Sequence, residues 1–341
     1  MKDLLRKISN ANGPSGSENE VGEIVRKELK GCCDDIKEDV LGNIICHRKG
    51  SKPAVMLDAH MDQIGLVIKS ITDDGFLKFV KMGGIDDRTL VSQRVKILGK
   101  TTMVGVIGAK PPHLLEEDEQ KKVMKAKEMY IDAGFKDKKE AEKFVSIGDY
   151  AVFDMEFAEM HNDFVTGRSL DNRAGLAVMI KAMQMTKSKN EIYAVASVQE
   201  EIGSKGARTS AFGIDPDIAI VLDTTTAGDY PYVKGEDVPV KLNGGPSFTY
   251  VEAGGRGTVA DRKLVDWLIG VAKRNKIKYQ LEVGDGGATD GTMIQLTKCG
   301  VRTAVVSVPE RYLHGPVEVV SMKDVEDAAK LVARALESVP K

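Results

Sequence analysis

The stretch PAVMLDAHMD, residues 53–62, decides the fold class. Its first seven residues, PAVMLDA, form a short apolar run, which is typical of a strand buried on both faces of a parallel sheet. Similar runs follow at residues 192–198, 218–222 and 303–308. Helical spacing of apolar residues lies between several of them, most clearly over 172–187 and 262–276. Buried strands alternating with helices predict an α/β protein with a mixed, largely parallel sheet and helices on both faces.

The segment 65–165 has a different pattern, rich in short β segments. A hairpin is expected over 66–80, and glycine-punctuated strands at 95–98 and 103–107. The stretch 116–143 carries many charges of both signs and is expected to be helical with a solvated face. We therefore predict a β-rich domain over 65–165, inserted into a domain built from 1–64 and 166–341.

Composition excludes several classes of protein. The 341 residues carry 49 Lys and Arg against 51 Asp and Glu, and this balance does not favour binding to nucleic acid or to anionic lipid. No run of 18 apolar residues and no signal-peptide pattern is present. The four cysteines show no CxxC spacing and no disulfide framework. A soluble, cytoplasmic and reduced protein is expected.

Residues able to bind metal follow the ends of the apolar runs. In an open α/β sheet, ligands bind beyond the carboxyl ends of the strands, so these residues should meet at one edge. A further acid opens the helix over 172–187. The candidate metal ligands are His60, Asp171, one of the pair Glu200 and Glu201, Asp223 and His314.

Each candidate has an ordinary structural explanation when taken alone. Asp171 could be a helix N-cap, and Asp223 could be a turn residue. Glu200 and Glu201 could be surface acids, and the two histidines could be a hydrogen-bonded strand-end residue and a loop residue. The joint placement at strand ends weakens these explanations, because strand ends are a minority of positions.

The charges at this edge require a cation. Crowded carboxylates raise one another's pKa unless a cation neutralises them. Imidazoles mixed with carboxylates suit Zn²⁺ or Co²⁺ better than Ca²⁺ or Mg²⁺. Of the adjacent pair Glu200 and Glu201, one can be a ligand and the other a general base. Asp62 can accept a hydrogen bond from the ring of His60 and fix its tautomer.

The motifs that carry these residues resemble those of the tetrahedral aminopeptidases, which are co-catalytic metallopeptidases. Their relatives include glutamyl aminopeptidases and proteins once labelled endoglucanases. The resemblance covers nearly the whole chain, with Gln63 and Gly315 as departures from the usual motifs. The matching motifs are AHMD at 59–62, LDNR at 170–173, QEEIG at 199–203, Asp223, and RYLHGP at 311–316.

The resemblance implies a zinc-peptidase-like fold and a role for each site residue. Asp171 would bridge two divalent metal ions, either zinc or cobalt. His60 and Asp223 would complete one ion's ligands, and Glu201 and His314 those of the other. Glu200 would be the general base, and Asp62 would orient His60. The inserted domain would be PDZ-like and mediate dimerisation, and dimers would assemble into a tetrahedral dodecamer.

The expected function is therefore release of the first residue from short peptides. A neutral, leucine-type first residue is favoured, since the sequence identifies no charged group for the pocket; acidic or basic preferences remain alternatives. A glycoside hydrolase would also use paired carboxylates but leaves His60 and His314 unexplained. A non-catalytic scaffold is a further alternative, although the candidate ligands are all present.

Overall fold

This computed structural model describes residues 1–340, except for the side chains of Pro112 and Glu119. The strands of this part of the chain form two sheets. The larger sheet contains β1 (Asp35–Glu38), β2 (Ile44–Arg48), β3 (Ser51–His60), β10 (Ala158–Glu159), β11 (Phe164–Gly167), β12 (Asn190–Ser197), β13 (Ile218–Thr226), β14 (Ser247–Val251), β15 (Gln280–Val283), β16 (Arg302–Arg311) and β17 (Glu318–Ser321). The smaller sheet is a closed barrel of β4 (Gly65–Ile71), β5 (Leu77–Met82), β6 (Arg94–Leu98), β7 (Thr102–Gly108), β8 (Tyr130–Asp132) and β9 (Tyr150–Phe153).

The large sheet is mixed, with a parallel centre. Its main order is β1-β2-β12-β3-β13-β16-β17-β11-β10, and β14 and β15 extend it beside β16. The central strands β12, β3, β13 and β16 run parallel to one another, whereas the outer pairings are mostly antiparallel. The predicted α/β class with a largely parallel sheet is confirmed, and the four apolar runs are these four central strands.

The helices cover both faces of the large sheet. The helices of this part of the chain are α1 (Lys2–Asn10), α2 (Asn19–Leu29), α5 (Leu170–Met185), α6 (Lys205–Ile214), α7 (Arg262–Arg274), α8 (Gly291–Ile294) and α9 (Met322–Leu336), whereas the short α3 (Glu117–Gln120) and α4 (Lys138–Ala141) belong to the barrel segment. Side chains alternate along β3, so Val55 and Leu57 face one core and Met56 faces the other. Helices α1, α2, α5, α7 and α9 cover the first core, and α6 and α8 cover the second. Among the described residues, no helix has both the length and the apolar character needed to cross a bilayer.

The barrel has its own core, formed by apolar residues on the inward faces of its antiparallel strands. The expectation of a helix over 116–143 is wrong. This stretch contains the short helices α3 and α4, and between them β8, which closes the barrel between β5 and β7. The strand buries Ile131 in the barrel core, and this tertiary contact outweighs the helical tendency of the charged residues around it.

The chain returns from the barrel to the large sheet before residue 165. Strand β10 pairs with β11, and β11 pairs with β17 at the edge of the large sheet. The barrel strands themselves therefore extend from Gly65 to Phe153.

The expectation that the cysteines form no disulfide is wrong for one pair. Cys33 and Cys46 form a disulfide, with their Cα atoms 5.8 Å apart. Cys33 lies just before β1 and Cys46 lies in β2, and the antiparallel pairing of these strands brings the two residues together. The sequence spacing does not reveal this pairing, because it depends on the hairpin.

Candidate metal centre

The parallel centre of the large sheet gathers the predicted site at one edge. Strand β3 ends at His60, and Asp223 lies in the last part of β13. The pair Glu200 and Glu201 follows β12, and His314 follows β16. Asp171 lies at the start of α5. The seven predicted site residues thus meet beyond the carboxyl ends of the central strands: His60, Asp62, Asp171, Glu200, Glu201, Asp223 and His314.

One group of possible ligands consists of His60, Asp171 and Asp223. The Nε2 atom of His60 lies 3.3 Å from Asp171 Oδ1 and 3.7 Å from Asp223 Oδ1. All three residues are buried, and their ligand atoms lie within 4.8 Å of one another. One metal ion can be held by such a set.

A second group consists of Asp171, Glu201 and His314. The Nε2 atom of His314 lies 3.2 Å from Asp171 Oδ2 and 3.4 Å from Glu201 Oε2. Asp171 therefore belongs to both groups and directs one carboxylate oxygen toward each. Its Oδ1 atom is buried and makes no hydrogen bond among the described residues, although His60 Nε2 lies nearby. An oxygen left without a hydrogen bond at this position fits a metal ligand.

Electrostatics at the site also require cations. Burial raises the pKa of Glu200 and Asp223, and it raises the pKa of Glu201 to about 8. Burial alone would lower the pKa of His314, but the carboxylates of Asp171 and Glu201 raise it to about 10. These shifts show that, without metal, the site favours protons that offset its negative charge. Divalent cations held by these residues would replace those protons.

Asp62 has more contacts than the sequence indicated. Its carbonyl and Oδ1 oxygens lie 3.2 and 3.4 Å from His60 Nδ1, as expected for a residue that orients the ring. Its carboxylate also accepts hydrogen bonds from the backbone N–H groups of Glu200 and Glu201, at 2.9 and 3.1 Å, and from the hydroxyl of Ser15 at 2.7 Å. Asp62 therefore holds both the ring of one candidate ligand and the backbone of the Glu200–Glu201 turn.

The barrel side of the molecule contributes to the site, which the sequence analysis missed. The carbonyl oxygen of Gly84, just after β5, lies 3.2 Å from His314 Nδ1 and can fix the tautomer of that ring. A Cβ atom on Gly84 would lie 2.8 Å from the same ring nitrogen, so only glycine allows this approach. The pair Gly83-Gly84 was the available signal, but nothing in the sequence links it to a histidine 230 positions away.

Two further polar residues hold Asp171 in place. Asn172 donates from Nδ2 to the carbonyl of Leu222 at 2.8 Å and accepts from the N–H of Gly175 at 3.0 Å. Glu318 accepts a hydrogen bond from the backbone N–H of Asp171 at 3.2 Å. These contacts connect the start of α5 to β13 and β17.

A cavity of about 460 Å³ opens beside the two ligand groups. Candidate site residues line it, including His60, Glu200 and His314. The lining also includes 224–226, residues of β15 and the glycine-rich loop that follows β15. The cavity is large enough for an amino-acid side chain next to the two ligand groups.

Comparison with known proteins identifies the family. The family model described as M42 glutamyl aminopeptidase matches residues 42–331. The lysyl aminopeptidase of Pyrococcus furiosus is 37% identical, over 99% of this chain and 97% of its own length. A solved aminopeptidase from Desulfurococcus kamchatkensis superposes with a TM-score of 0.95 at 41% identity, covering 99% of this chain and 94% of that chain. The TET1 peptidase of Pyrococcus horikoshii superposes with a TM-score of 0.90 at 33% identity, covering 99% of this chain and 99% of that chain. That peptidase is described as able to assemble into a tetrahedron or a large octahedral shell. The chain therefore belongs to the M42 glutamyl aminopeptidase family and is a peptidase.

Proposed function

We propose that this protein is a dinuclear metal-dependent aminopeptidase that releases the first residue from short peptides. The observation that carries the proposal is the placement of Asp171 between the two ligand groups, with one oxygen directed at each. A single carboxylate in this position can bridge two ions. The buried Oδ1 atom without a hydrogen bond supports this role.

The residues present fit a pair of zinc or cobalt ions. His60 and Asp223 would hold one ion, Glu201 and His314 the other, and Asp171 both. Two imidazoles with three carboxylates are ligands that Zn²⁺ and Co²⁺ accept. Such ions, when bound, polarise a peptide carbonyl and lower the pKa of water.

Glu200 is the proposed general base. Its carboxylate is outside both ligand groups, yet Oε2 lies only 3.9 Å from His60 Nε2. From there it can take a proton from the attacking water and deliver it to the leaving amine. The hydrogen bond from its backbone N–H to Asp62 holds it at this position.

The substrate preference of the enzyme depends on which first residue its pocket accepts. The names of similar proteins do not decide it, because the family description is glutamyl and one relative is a lysyl aminopeptidase. The sequence favoured a neutral residue only because no charged group could be assigned to the pocket. The cavity lining includes carboxylates such as Glu282, which removes that reason.

Metal removal tests the proposed chemistry. We expect dialysis against 1,10-phenanthroline to abolish hydrolysis of aminoacyl-p-nitroanilides, because the site then lacks the cations that polarise the substrate. Zn²⁺ or Co²⁺ should restore turnover at about two ions per chain, whereas Ca²⁺ should not. Metal content by mass spectrometry and circular dichroism of the stripped protein are the controls.

Other outcomes favour the alternatives. Full peptidase activity in protein shown to be metal-free would contradict the proposal. Cleavage of a β-glucan by that protein would favour a glycoside hydrolase. Bound metal without activity on any aminoacyl substrate would favour a scaffold.

Replacement of Asp62 tests whether its hydrogen bonds hold the candidate ligands in position. Asp62→Asn offers an amide NH₂ where one carboxylate oxygen now accepts, so one of the backbone N–H groups of Glu200 and Glu201 loses its partner. We expect a loss of about 10–100-fold in metal affinity or in kcat/KM, as for other groups that orient ligands. Metal titration and steady-state kinetics measure it. Ser15→Ala, which removes only the hydroxyl donor to Asp62, should have a smaller effect; equal effects would contradict the role given to the backbone contacts.

We also propose that the chain forms homodimers through the barrel segment, the predicted PDZ-like domain over 65–165, and that dimers build a tetrahedral dodecamer. The exposed valines Val80, Val104 and Val106 on β5 and β7 give this segment an apolar outer surface. The description of the TET1 peptidase as a tetrahedral or octahedral assembly supports such a homo-oligomer.

A further inference from the structure

The part of the cavity wall outside the proposed metal ligands and Glu200 is acidic. It carries four carboxylate side chains: Asp237, Glu252, Glu282 and Asp285. Among the described residues that line the cavity, none is Lys or Arg, and the basic side chains are His60 and His314 on the metal-ligand side. A substrate side chain that enters this space therefore meets negative charge without a competing protein cation.

Glu282 is the acid of this wall that is linked most directly to the ligand groups. The hydroxyl of Thr225 has its Oγ1 atom 2.8 and 2.9 Å from the two oxygens, and its single hydrogen is shared between them. Thr225 lies two residues after Asp223 on β13, so the two side chains share a face about 6.6 Å apart along the strand. The carboxylate of Glu282 is thus held against the strand that carries Asp223.

Two further hydroxyls approach the same carboxylate. Thr249 and Ser247, both on β14, lie 3.3 and 3.4 Å from Glu282 Oε2. Hydroxyl donors on two strands restrict where the carboxylate can point. They do not neutralise its charge.

Glu282 lacks the cation that a half-buried carboxylate ordinarily has. Among the described residues, no Lys or Arg forms an ion pair with it, and burial raises its pKa while the hydroxyl bonds oppose that shift. Glu252 is different, because the N–H groups of Thr258 and Thr289 and the hydroxyl of Thr289 satisfy its oxygens. Glu252 is therefore fixed by backbone donors, whereas Glu282 accepts only from hydroxyl groups, which can rotate when a charged ligand binds.

We propose that Glu282 is a specificity-determining residue of the pocket for the first side chain, and that it selects peptides beginning with lysine or arginine. Lysine carries its ammonium group at the end of a flexible four-carbon stem, so the group can reach a carboxylate that lines the cavity away from the metal ligands. The substrate cation would supply the missing partner of the carboxylate. This inference rests on the proposed aminopeptidase function.

The test compares lysine with norleucine, which has the same straight four-carbon chain without the ammonium group. Steady-state kcat/KM would be measured on lysyl- and norleucyl-p-nitroanilide for the wild type, Glu282→Gln and Glu236→Gln. Glutamine keeps the size; its oxygen can accept from one hydroxyl, and its NH₂ group can donate to the oxygen of another. Glu236 is an exposed acid on a nearby loop, outside the cavity lining, and is the matched control for loss of one charge.

We expect the wild type to prefer lysine over norleucine by about 10–100-fold, the range for a hydrogen bond to a charged group. Glu282→Gln should lower that ratio by a similar factor, by reducing kcat/KM for lysine alone. Glu236→Gln should leave it unchanged. Equal losses on both substrates would overturn the proposal, because Glu282 would then contact something common to all substrates, such as the α-amino group.

A binding measurement separates this proposal from the aminopeptidase function. Calorimetric titration of the metal-loaded protein with free lysine and free norleucine involves no turnover, because neither has an amide bond to cleave. Tighter binding of lysine that depends on Glu282 supports the pocket assignment even if no substrate is cleaved. If Glu282→Gln does not fold, a wild-type ratio near one in binding overturns the proposal by itself.

Discussion

Asp171→Ala is expected to deprive both ligand groups of metal and to lower kcat/KM by about 10³-fold or more, because bound ions supply several kcal/mol of charge stabilisation in the transition state. The reason is that the two oxygens of Asp171 face His60 and His314 separately, at 3.3 and 3.2 Å. Removing one side chain thus removes a ligand from each group. Metal content by mass spectrometry and kinetics on aminoacyl-p-nitroanilides are the measurements.

Two comparison variants make this result specific. Asp163→Ala removes an exposed aspartate far from the ligand groups and should retain two ions and full activity. His314→Ala removes a ligand from one group only, so the group of His60, Asp171 and Asp223 should keep its ion. If Asp171→Ala retained two tightly bound ions, the bridging role would be wrong.

Glu200→Gln is expected to retain both ions and to lose about 10²–10⁴-fold in kcat. Glutamine has the size of glutamate but cannot take the proton of the attacking water. The backbone hydrogen bond to Asp62 does not depend on this side chain, so the turn should keep its shape.

The adjacent residue provides the contrast. Glu201→Gln is the same chemical change one position along, but Glu201 lies 3.4 Å from His314 Nε2 within a ligand group. It should lose metal, and its activity should recover in part with excess Zn²⁺. Near-normal turnover by Glu200→Gln, or metal loss equal to that of Glu201→Gln, would contradict the division of roles.

The local sequence pattern was sufficient to predict the central strands and the candidate ligands at their ends. The four apolar runs are buried on both faces, and a strand of this kind needs only a short apolar segment to be recognised. Parallel pairing then brings His60 and Asp223 to one edge whatever the loops do. The local pattern gave a wrong prediction over 116–143, because β8 forms by pairing with β5 and β7 of the barrel and its own composition does not indicate a strand.

Tertiary structure alone decided the contacts that join distant segments. The disulfide of Cys33 depends on a hairpin, and the contact of Gly84 with His314 joins the barrel to the large sheet across 230 positions. The charge of the pocket likewise depends on β14 and β15, which add to the sheet beside β16 and place Glu282 next to Thr225.

The sequence by itself therefore determined the fold class, the family resemblance and the set of residues that meet at the sheet edge. Those properties follow from the spacing of apolar residues and from the position at which each strand ends. Both are set by residues close together in the sequence. Which carboxylate oxygen faces which histidine, what supports each ring, and which acid faces the pocket depend on strand order and side-chain packing. Only the folded chain sets these, because each arises between segments that are far apart in the sequence.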